Sequence, residues 1–531
     1  MKKASVLLMI LILLLSACAV TQQTGDETPT PTAEPTPLPY SDVTPVPVAK
    51  FTNDEFALAY YENETLNPVF GESDVNAFAA GFIYDTLVAS DNGFIAETAL
   101  ANRFYYDADE DEWVFILRED VKFHSGATLT AQDVKYTINR MYSNSKGVYY
   151  ENVKNIDSVS AQGNKVRIKL HKKDPLFPML MNIPIIQDGD TAQTVNGTGA
   201  FMLKTDENGK KYLAENASYW KNSKGTADKL EKIKLTAVSS TRELIVALEQ
   251  YDIDAFMFYD TAVEKPSHTG NLSAYVVNTN RLCYLAFNSE RRAFEDSNVR
   301  KAVSLALDRK ALVDGLWSAK SVSLTNIPLH PNGSLYPMTE AAMYDTVKAD
   351  EILVNGRYAK NGSGVYRRNL TGELSFTLLV NMENVNRVKL AERIADRLSL
   401  FGIKVQTEAV SRSEYLSRIE DGEFDIYIAE TDMPINMDFT ALLDTEKWNY
   451  GKIEGDKTLE AMATFRETSP DMAAYTIREL RVAFENEMPF VPLFFSNSTL
   501  YVTKNVTGIA GFSQGQPFGD TSGYVLEKRY G

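Results

Sequence analysis

One segment near the C-terminus carries the residue pattern of a catalytic serine. Residues 511–515 read Gly-Phe-Ser-Gln-Gly and fit the G-x-S-x-G nucleophile elbow, in which an acid and then a histidine follow the serine along the chain. The last histidine of this sequence is His330, far upstream of Ser513. That triad is therefore excluded, and we expect Ser513 to lie in a loop of a protein that is not an enzyme.

Metal and cofactor binding are the next chemistries that the residue types suggest. The acidic run at residues 107–112 resembles the start of a calcium loop, but Glu112 stands where glycine is needed and Arg118 where glutamate is needed. The four histidines have no ligand spacing, and residues 197–199 lack the third glycine of a dinucleotide-binding loop. We expect a solvated hairpin at the acidic run, no protein-built metal site and no cofactor.

The N-terminus indicates export and lipid attachment. Lys2 and Lys3 precede an apolar stretch, residues 6–15, that has the form of a signal peptide and is short for a membrane-spanning helix. Residues 15–18 read Leu-Ser-Ala-Cys and resemble a bacterial lipobox, which implies cleavage before Cys18 and a diacylglycerol on its thiol. The alternative is an ordinary signal peptide with an incidental cysteine. We expect a lipoprotein signal peptide at residues 1–18 and lipid anchoring on the extracytoplasmic face of the cell membrane.

The composition of the rest of the chain predicts a linker and excludes several classes of structure and partner. Residues 19–50 are rich in Thr and Pro and too poor in apolar residues to fold, so they predict a disordered, extended linker. With Cys18 lipidated, Cys283 has no disulfide partner, and its apolar strand predicts burial. The net charge of −17 argues against nucleic acid as a partner. No later stretch predicts a transmembrane helix.

The clearest local structure lies at residues 113–140, which read WVFILREDVKFHSGATLTAQDVKYTINR. An apolar run predicts a strand, and a Ser-Gly turn follows. Thr130 and Asp133 have the spacing of a capping box at the start of a helix. Val134, Ile138 and Met141 recur at helical spacing and predict one buried face. Strand-like and helical runs alternate along the whole chain, which is typical of α/β proteins.

The same residues resemble a hallmark of the bacterial extracellular solute-binding proteins of family 5, whose segment runs like W-x-F-x-L-R-x-x-V-K-F-x-x-G-x-x-x-T-A-x-D-V. These are the oligopeptide, dipeptide and nickel receptors of ABC importers. Further segments resemble the family's motifs in the family's order: residues 66–68 and 83–87, residues 197–201 and 216–220, residues 285–288, 299–302 and 306–309, and residues 488–493. The resemblance covers the chain from about Phe51 to its end.

The resemblance implies an α/β fold with the two-lobed clamshell of periplasmic binding proteins (type II, class C) and an extra inserted domain. Two crossing strands near residues 281–288 and 489–495 would join the lobes. The domain ranges are residues 51–87, 187–280 and 490–531 for lobe I, 88–186 for the inserted domain, and 281–489 for lobe II.

The resemblance also implies where a ligand binds. Peptide-binding relatives hold the ligand as an added strand and neutralise its α-amine with an aspartate, which falls on Asp432 here, next to Thr431. Relatives often carry Gly-Trp just before this site, where this chain has Ala-Glu at residues 429–430. The opposing wall would be residues 71–75, with Glu72, Ser73 and Asp74. The alternatives are a solvated loop acid at Asp432 and a polar surface loop at residues 71–75. Arg387 is the candidate partner for a peptide carboxylate.

We therefore expect a membrane-anchored, monomeric receptor that captures oligopeptides and delivers them to the permease and ATPase subunits of an ABC importer. Two alternatives stay open: a receptor of the same fold for a nickel complex or another small solute, and a peptide sensor without transport.

Overall fold

The computed structural model describes residues 55–221, 230–262, 264–267, 270–336, 343–369, 372–519 and 524–526. The signal peptide and lipobox expected at residues 1–18 and the linker expected at residues 19–50 lie outside the described residues. The chain divides into two units, Met1–Lys50 and Phe51–Gly531, and every helix and strand named below belongs to the second. Within the described residues, no helix is both long and apolar enough to cross a bilayer.

Strands and helices alternate through the first half of the chain, as the sequence predicts. In chain order they are β1 (Phe56–Tyr60), α1 (Asp74–Ala80), β2 (Val88–Ser90), β3 (Ala96–Thr98), β4 (Ala101–Asp107), β5 (Glu112–Leu117), α2 (Ala131–Ser143), α3 (Tyr150–Val153), β6 (Ile156–Gln162), β7 (Lys165–Leu170), α4 (Phe177–Leu180), β8 (Phe201–Thr205), β9 (Lys211–Glu215), β10 (Lys232–Ala237), α5 (Thr241–Glu249), β11 (Ala255–Tyr259) and β12 (Leu272–Phe287).

The second half contains more helix. Its elements are α6 (Arg292–Glu295), α7 (Ser297–Ala306), α8 (Arg309–Val313), β13 (Val322–Leu324), α9 (Thr346–Asn355), β14 (Ala359–Lys360), β15 (Tyr366–Arg368), β16 (Gly372–Glu373), β17 (Ser375–Asn381), α10 (Val385–Phe401), β18 (Lys404–Val410), α11 (Arg412–Glu420), β19 (Ile426–Asp432), α12 (Asp456–Glu467), α13 (Ala473–Glu487), β20 (Val491–Thr503), β21 (Val506–Thr507) and β22 (Val525–Leu526), with 3-10 helices at Thr440–Leu442 and Pro470–Met472.

Three sheets carry the architecture. Lobe I contains the sheet β1-β10-β9-β8, and the inserted region contains the antiparallel sheet β4-β5-β7-β6. The largest sheet has the order β11-β20-β12-β19-β17-β18, with β13 paired to β20. Because β11 belongs to the core of lobe I and β17–β19 belong to lobe II, this sheet connects the two lobes.

The long strands β12 and β20 cross between the lobes. Leu272, Val277, Leu500 and Val502 pack in the core of lobe I, whereas residues 282–285 and 493–495 pack in the core of lobe II. The pairing of β12 with β20 is irregular between Val277 and Arg281, where the chain passes from one core to the other. The inserted region shares one continuous core with lobe I.

The strand, turn and helix predicted for residues 113–140 are confirmed as β5 and α2. The Asp133 carboxylate accepts hydrogen bonds from the backbone N–H of Thr130, at 2.8 Å, and from its hydroxyl, at 2.6 Å, so the two residues close the first turn of α2. Val134, Ile138 and Met141 are buried on one face. The acidic run at residues 107–112 is the hairpin between β4 and β5, also as predicted.

A buried acid ties three of the family-like motifs together. Asp85 accepts hydrogen bonds from the Thr198 hydroxyl, the Tyr219 hydroxyl and the Trp220 indole, each at 2.9 Å. Next to Thr198, the backbone of Gly197 passes so close to that of Ile83 that an added Cβ would lie 1.9 Å from the Ile83 carbonyl oxygen. Asp85 and the close approach at Gly197 thus hold three separate motif segments together inside lobe I.

Two buried arginines of lobe II anchor the segment that leads into β20. The Arg300 guanidinium donates to the carbonyl oxygens of Met488, at 2.8 Å, and Glu487, at 2.6 Å. Arg309 donates to the carbonyl of Pro492 at 2.9 Å. Burial lowers the pKa of each guanidinium to about 10, and both remain charged at neutral pH.

A second contact between the lobe I side and lobe II is formed by Phe94, Asp174, His330, Asn436 and Arg466, which we call the inner contact. Asp174, from the loop before α4, pairs with Arg466 of α12 at 3.1 Å and accepts from the Asn436 amide at 2.7 Å. The ring of His330 lies between Phe94 and Phe495, with centroids 4.9 Å from each. The inserted region is therefore bound to lobe II through a buried, mixed polar and aromatic surface.

Candidate functional site

The N-terminus of α1 positions the predicted lobe I residues. Ser73 is the N-cap of α1, and its hydroxyl accepts a hydrogen bond from the Asn76 N–H at 3.3 Å. Asp74 is the first residue of the helix, where the helix dipole favours a negative charge. Glu72 is exposed immediately before the cap. Ser73 thus fixes the helix start, while Glu72 and Asp74 present carboxylates to solvent.

Strand β19 positions the predicted lobe II residues. Asp432 is its last residue and lies directly opposite Arg281 of β12. The Arg281 guanidinium donates two hydrogen bonds to the Asp432 carboxylate, both of 2.7 Å, and stacks over the Tyr259 ring with its central carbon 3.6 Å from the ring centroid. Thr431, beside it, lies opposite Leu282.

Asp74, Tyr259, Arg281, Glu430 and Asp432 form a charged group between the lobes, which we call the cleft cluster. Partial desolvation and the negative charge of Asp432 raise the pKa of Asp74, and Arg281 opposes that shift. Burial, together with the surrounding carboxylates, raises the pKa of Tyr259 to about 12. Asp74 of lobe I and Asp432 of lobe II are therefore close enough to repel each other, with Arg281 as the cation that moderates the repulsion.

Arg387, the residue predicted to meet a ligand carboxylate, is paired within the protein. It lies in the first turn of α10, and its guanidinium forms an ion pair with Glu430 that is largely shielded from solvent. Glu430 also accepts from the Thr261 hydroxyl at 2.9 Å. The negative charge of Glu430 offsets the positive charge of Arg387 toward any ligand. Beside the pair, burial raises the pKa of the Cys283 thiol to about 12, and Cys283 is a buried free cysteine, as predicted.

A cavity of about 440 Å³ adjoins this site in lobe II, and we call it the lobe II cavity. Arg281, Arg387, Glu430 and Thr431 line the part nearest the cleft cluster. The volume lies within the range of small-molecule pockets, about 300–1,000 Å³. The structure thus places Thr431 and Arg387 in the lining of one cavity, with Asp432 next to Thr431 on β19 and Asp74 within reach of the Asp432 charge.

Sequence reasoning missed Arg281, Tyr259 and Tyr149. Tyr149 precedes α3 of the inserted region and lies close enough to Asp74 that burial and the Asp74 charge raise its pKa to about 12. One signal was available in the sequence: Arg281 is the only charged residue in the 16-residue strand β12. A charge inside an apolar strand needs a partner, and the sequence alone did not point to Asp432, 151 positions away.

The structure also locates the serine and the possible metal ligands that the sequence suggested. Ser513 lies in a loop, as predicted, and its hydroxyl is buried 3.4 Å from that of Ser90. Over the part of the chain that the structure describes, no three histidine, cysteine, aspartate or glutamate side chains are grouped as metal ligands would be.

Comparison with known proteins places the chain in a family. The family model for bacterial extracellular solute-binding proteins, family 5 Middle, matches residues 96–449. The oligopeptide-binding protein AppA of Bacillus subtilis is 23% identical over 483 residues, covering 84% of this chain and 87% of AppA. The nickel-binding periplasmic protein of Escherichia coli is 23% identical over 388 residues, covering 67% of this chain and 71% of the relative.

Solved structures show the same fold. A nickel ABC transporter protein from Bacillus halodurans superposes with a TM-score of 0.71 at 19% identity, covering 89% of this chain and all of that one. The two-lobed α/β fold expected from the sequence is thereby confirmed. The family consists of solute receptors and not of enzymes. This chain therefore belongs to the bacterial extracellular solute-binding proteins of family 5.

Proposed function

We propose that this protein captures oligopeptides between its two lobes and delivers them to an ABC importer. The observation that carries the proposal is the charge balance of the cleft cluster, where Asp74 and Asp432 come from different lobes and Arg281 is the cation beside them. The α-amine of a peptide would bring a second positive charge and contact both lobes. Such a ligand favours the closed form because it binds that form more tightly than the open one.

The Asp432 carboxylate can accept further hydrogen bonds while it is paired with Arg281. A carboxylate has about four lone-pair directions, and the bidentate contact uses two of them. The Asp432 side chain is also 50% exposed, so a ligand ammonium can approach it without displacing Arg281. The amine would then lie between Asp432 and Asp74.

The experiment compares matched peptides with a free and an acetylated N-terminus. We expect free-amine peptides to raise the melting temperature and the acetylated ones to bind about 10- to 100-fold more weakly, which corresponds to the loss of a charge-assisted contact of about 1.5–3 kcal/mol. Asp432→Ala should remove the difference, and Asp109→Ala, an exposed acid in the β4–β5 hairpin, should retain it. Equal affinity for both peptide forms would contradict amine capture.

A non-peptide solute is the alternative function within the same fold, and the nickel-binding relatives support it. Native mass spectrometry of the protein as purified distinguishes the two, because a retained ligand would report its own mass. Stabilisation by nickel complexes or other small solutes, with none by any peptide of a library, would contradict the peptide assignment. A peptide sensor without transport would bind the same ligands but would not support uptake in cells that express the permease and ATPase subunits.

The proposal includes a lipid anchor at Cys18 and a monomeric receptor on the extracytoplasmic face of the membrane. Its support is the lipobox-like Leu-Ser-Ala-Cys at residues 15–18 and the Thr- and Pro-rich stretch that follows. Cys18→Ala should move the protein from the membrane fraction to the soluble fraction. Intact mass measurement should find a diacylglycerol on the wild-type protein and none on the variant.

A further inference from the structure

The walls of the lobe II cavity are aromatic and packed against one another. Tyr284, Tyr415 and Tyr427 line it, and all three are buried. The Tyr427 ring packs edge-on against Tyr284, at 6.5 Å between centroids, and against Tyr415, at 6.4 Å. The Tyr415 hydroxyl donates to the Ile428 carbonyl at 2.7 Å, which satisfies it within the wall. Such a surface offers ring faces and edges to a ligand and is already shaped before the ligand arrives.

The buried charges of the cavity are already paired. Arg387 and Glu430 form one ion pair, and Arg281 is engaged by Asp432. Three further charged residues line the cavity but are exposed to water at its mouth: Glu383, Arg412 and Glu420. A charged ligand group would lose its hydration on entry, and the buried charges among the described lining residues are already engaged with one another, so the interior disfavours ionic groups.

The mouth of the cavity also carries exposed apolar side chains. Leu416 and Trp448 line it and are 45% and 38% exposed, respectively. Met382 and Val385, which flank the lining residues 383 and 384, are 54% and 62% exposed. Single exposed apolar side chains are common, but Leu416 and Trp448 both line one opening, where apolar ligand groups could contact them.

We propose that the lobe II cavity receives a bulky, uncharged aromatic side chain of the ligand and so sets the protein's ligand preference. The inference rests on the proposed function, since it assigns one residue of the peptide held in the cleft. Thr431 lines the cavity next to Asp432, so a peptide whose amine lies at Asp432 can direct a side chain into it. The aromatic walls, the paired interior charges and the apolar side chains Leu416 and Trp448 at the mouth all match the same kind of group.

The test uses free-amine tripeptides of alanine in which one position at a time is replaced by Trp, Phe, Leu, Lys or Asp, with affinity measured by calorimetry on the mature protein. We expect one position at which Trp or Phe binds at least tenfold more tightly than Ala, and at which Lys and Asp bind no better than Ala.

Two variants test whether the preference comes from the cavity. Ala429→Trp should fill the cavity from its β19 wall and abolish the aromatic preference, whereas Ala463→Trp, on the exposed face of α12, should retain it. Trp448→Ala, at the mouth, should reduce the preference severalfold without filling the cavity, and it protects the conclusion if Ala429→Trp fails to fold.

The outcomes separate this inference from the proposed function. Tight peptide binding with equal affinity for all side chains, or with Lys or Asp preferred, would overturn the inference and leave the peptide receptor intact. An aromatic preference that Ala429→Trp and Trp448→Ala both leave unchanged would also overturn it. Binding of free indole or phenol compounds that Ala429→Trp abolishes, in the absence of any peptide binding, would uphold the aromatic cavity and reject the peptide receptor.

Discussion

The cleft cluster and the inner contact both lie where the lobe I side meets lobe II, and each contains an arginine–aspartate pair, but the two pairs differ in exposure. In the cleft cluster, the side chains of Arg281 and Asp432 are 27% and 50% exposed. In the inner contact, those of Arg466 and Asp174 are 17% and 0% exposed, and Asp174 also accepts from the Leu176 N–H at 2.9 Å. The Arg281–Asp432 pair can bind a further partner from solution, whereas Asp174 already contacts Arg466, Asn436 and the Leu176 N–H within the protein.

This difference separates a binding role from a structural one. Burial raises the pKa of Asp174, while Arg466, the Leu176 N–H and Asn436 oppose the shift, so its ionised form depends on those partners. An exposed ion pair contributes about 0–1 kcal/mol to stability, and breaking a buried one costs about 3–5 kcal/mol. The same substitution in the two regions should therefore have different effects.

Arg466→Met should have the largest effect on stability. It leaves the buried Asp174 carboxylate without its cation, so we expect the free energy of unfolding at pH 7 to fall by about 3–5 kcal/mol, measured by urea denaturation. Part of the loss should be regained at lower pH, because protonation removes the unpaired charge. Adding Asp174→Asn to Arg466→Met keeps an acceptor for Leu176 and should recover stability. A double variant no more stable than Arg466→Met would contradict this account.

The pH dependence of stability should report the burial of His330 in the inner contact. Burial lowers the pKa of His330 from about 6.5 to about 3, and the Asn332 N–H donates to its Nδ1 at 3.1 Å. The unfolded chain therefore binds a proton that the folded chain does not, and stability is lost as pH falls from 6.5 toward 3. Between pH 7 and pH 5 this residue should remove about 2 kcal/mol.

The control for that prediction is a second histidine. His330→Asn keeps an acceptor for the Asn332 N–H and should have a correspondingly shallower decline of stability with acid. His171→Asn, at an exposed position, should follow the wild type, because the His171 side chain is 52% exposed. If His330→Asn declined as steeply as the wild type, the inner contact would not exclude the imidazolium.

Local elements could be predicted from the sequence because their determinants lie close together. The Thr130–Asp133 spacing and the apolar periodicity of Val134 and Ile138 specify α2 within a dozen residues. Burial of Cys283 followed from the apolar strand around it. The two-lobed fold was predicted from motifs that occur in the family's order, and in the structure buried Asp85 joins three of those segments.

The binding geometry could not be predicted because it depends on distant pairs. Arg387 was a reasonable candidate for a ligand carboxylate until the fold placed Glu430, 43 positions away, against it. The lobe II cavity had one trace in the sequence, the Ala-Glu at residues 429–430 where relatives often carry Gly-Trp, and both residues line it. A departure from the family pattern can point to the residues of a binding site. The volume of the cavity that they line depends on tertiary packing and cannot be read from those residues.

Arg281→Met should have the smallest effect on stability and a distinct effect on binding. Because Asp432 is half exposed, we expect the free energy of unfolding to fall by less than about 1 kcal/mol. Arg281 repels a ligand ammonium and shares the Asp432 carboxylate with it, so its removal should strengthen binding of free-amine peptides severalfold and leave acetylated peptides unchanged. Weaker binding of the free-amine peptides would show instead that Arg281 contacts the ligand directly, and the cleft cluster would then select for a negative group and not a positive one.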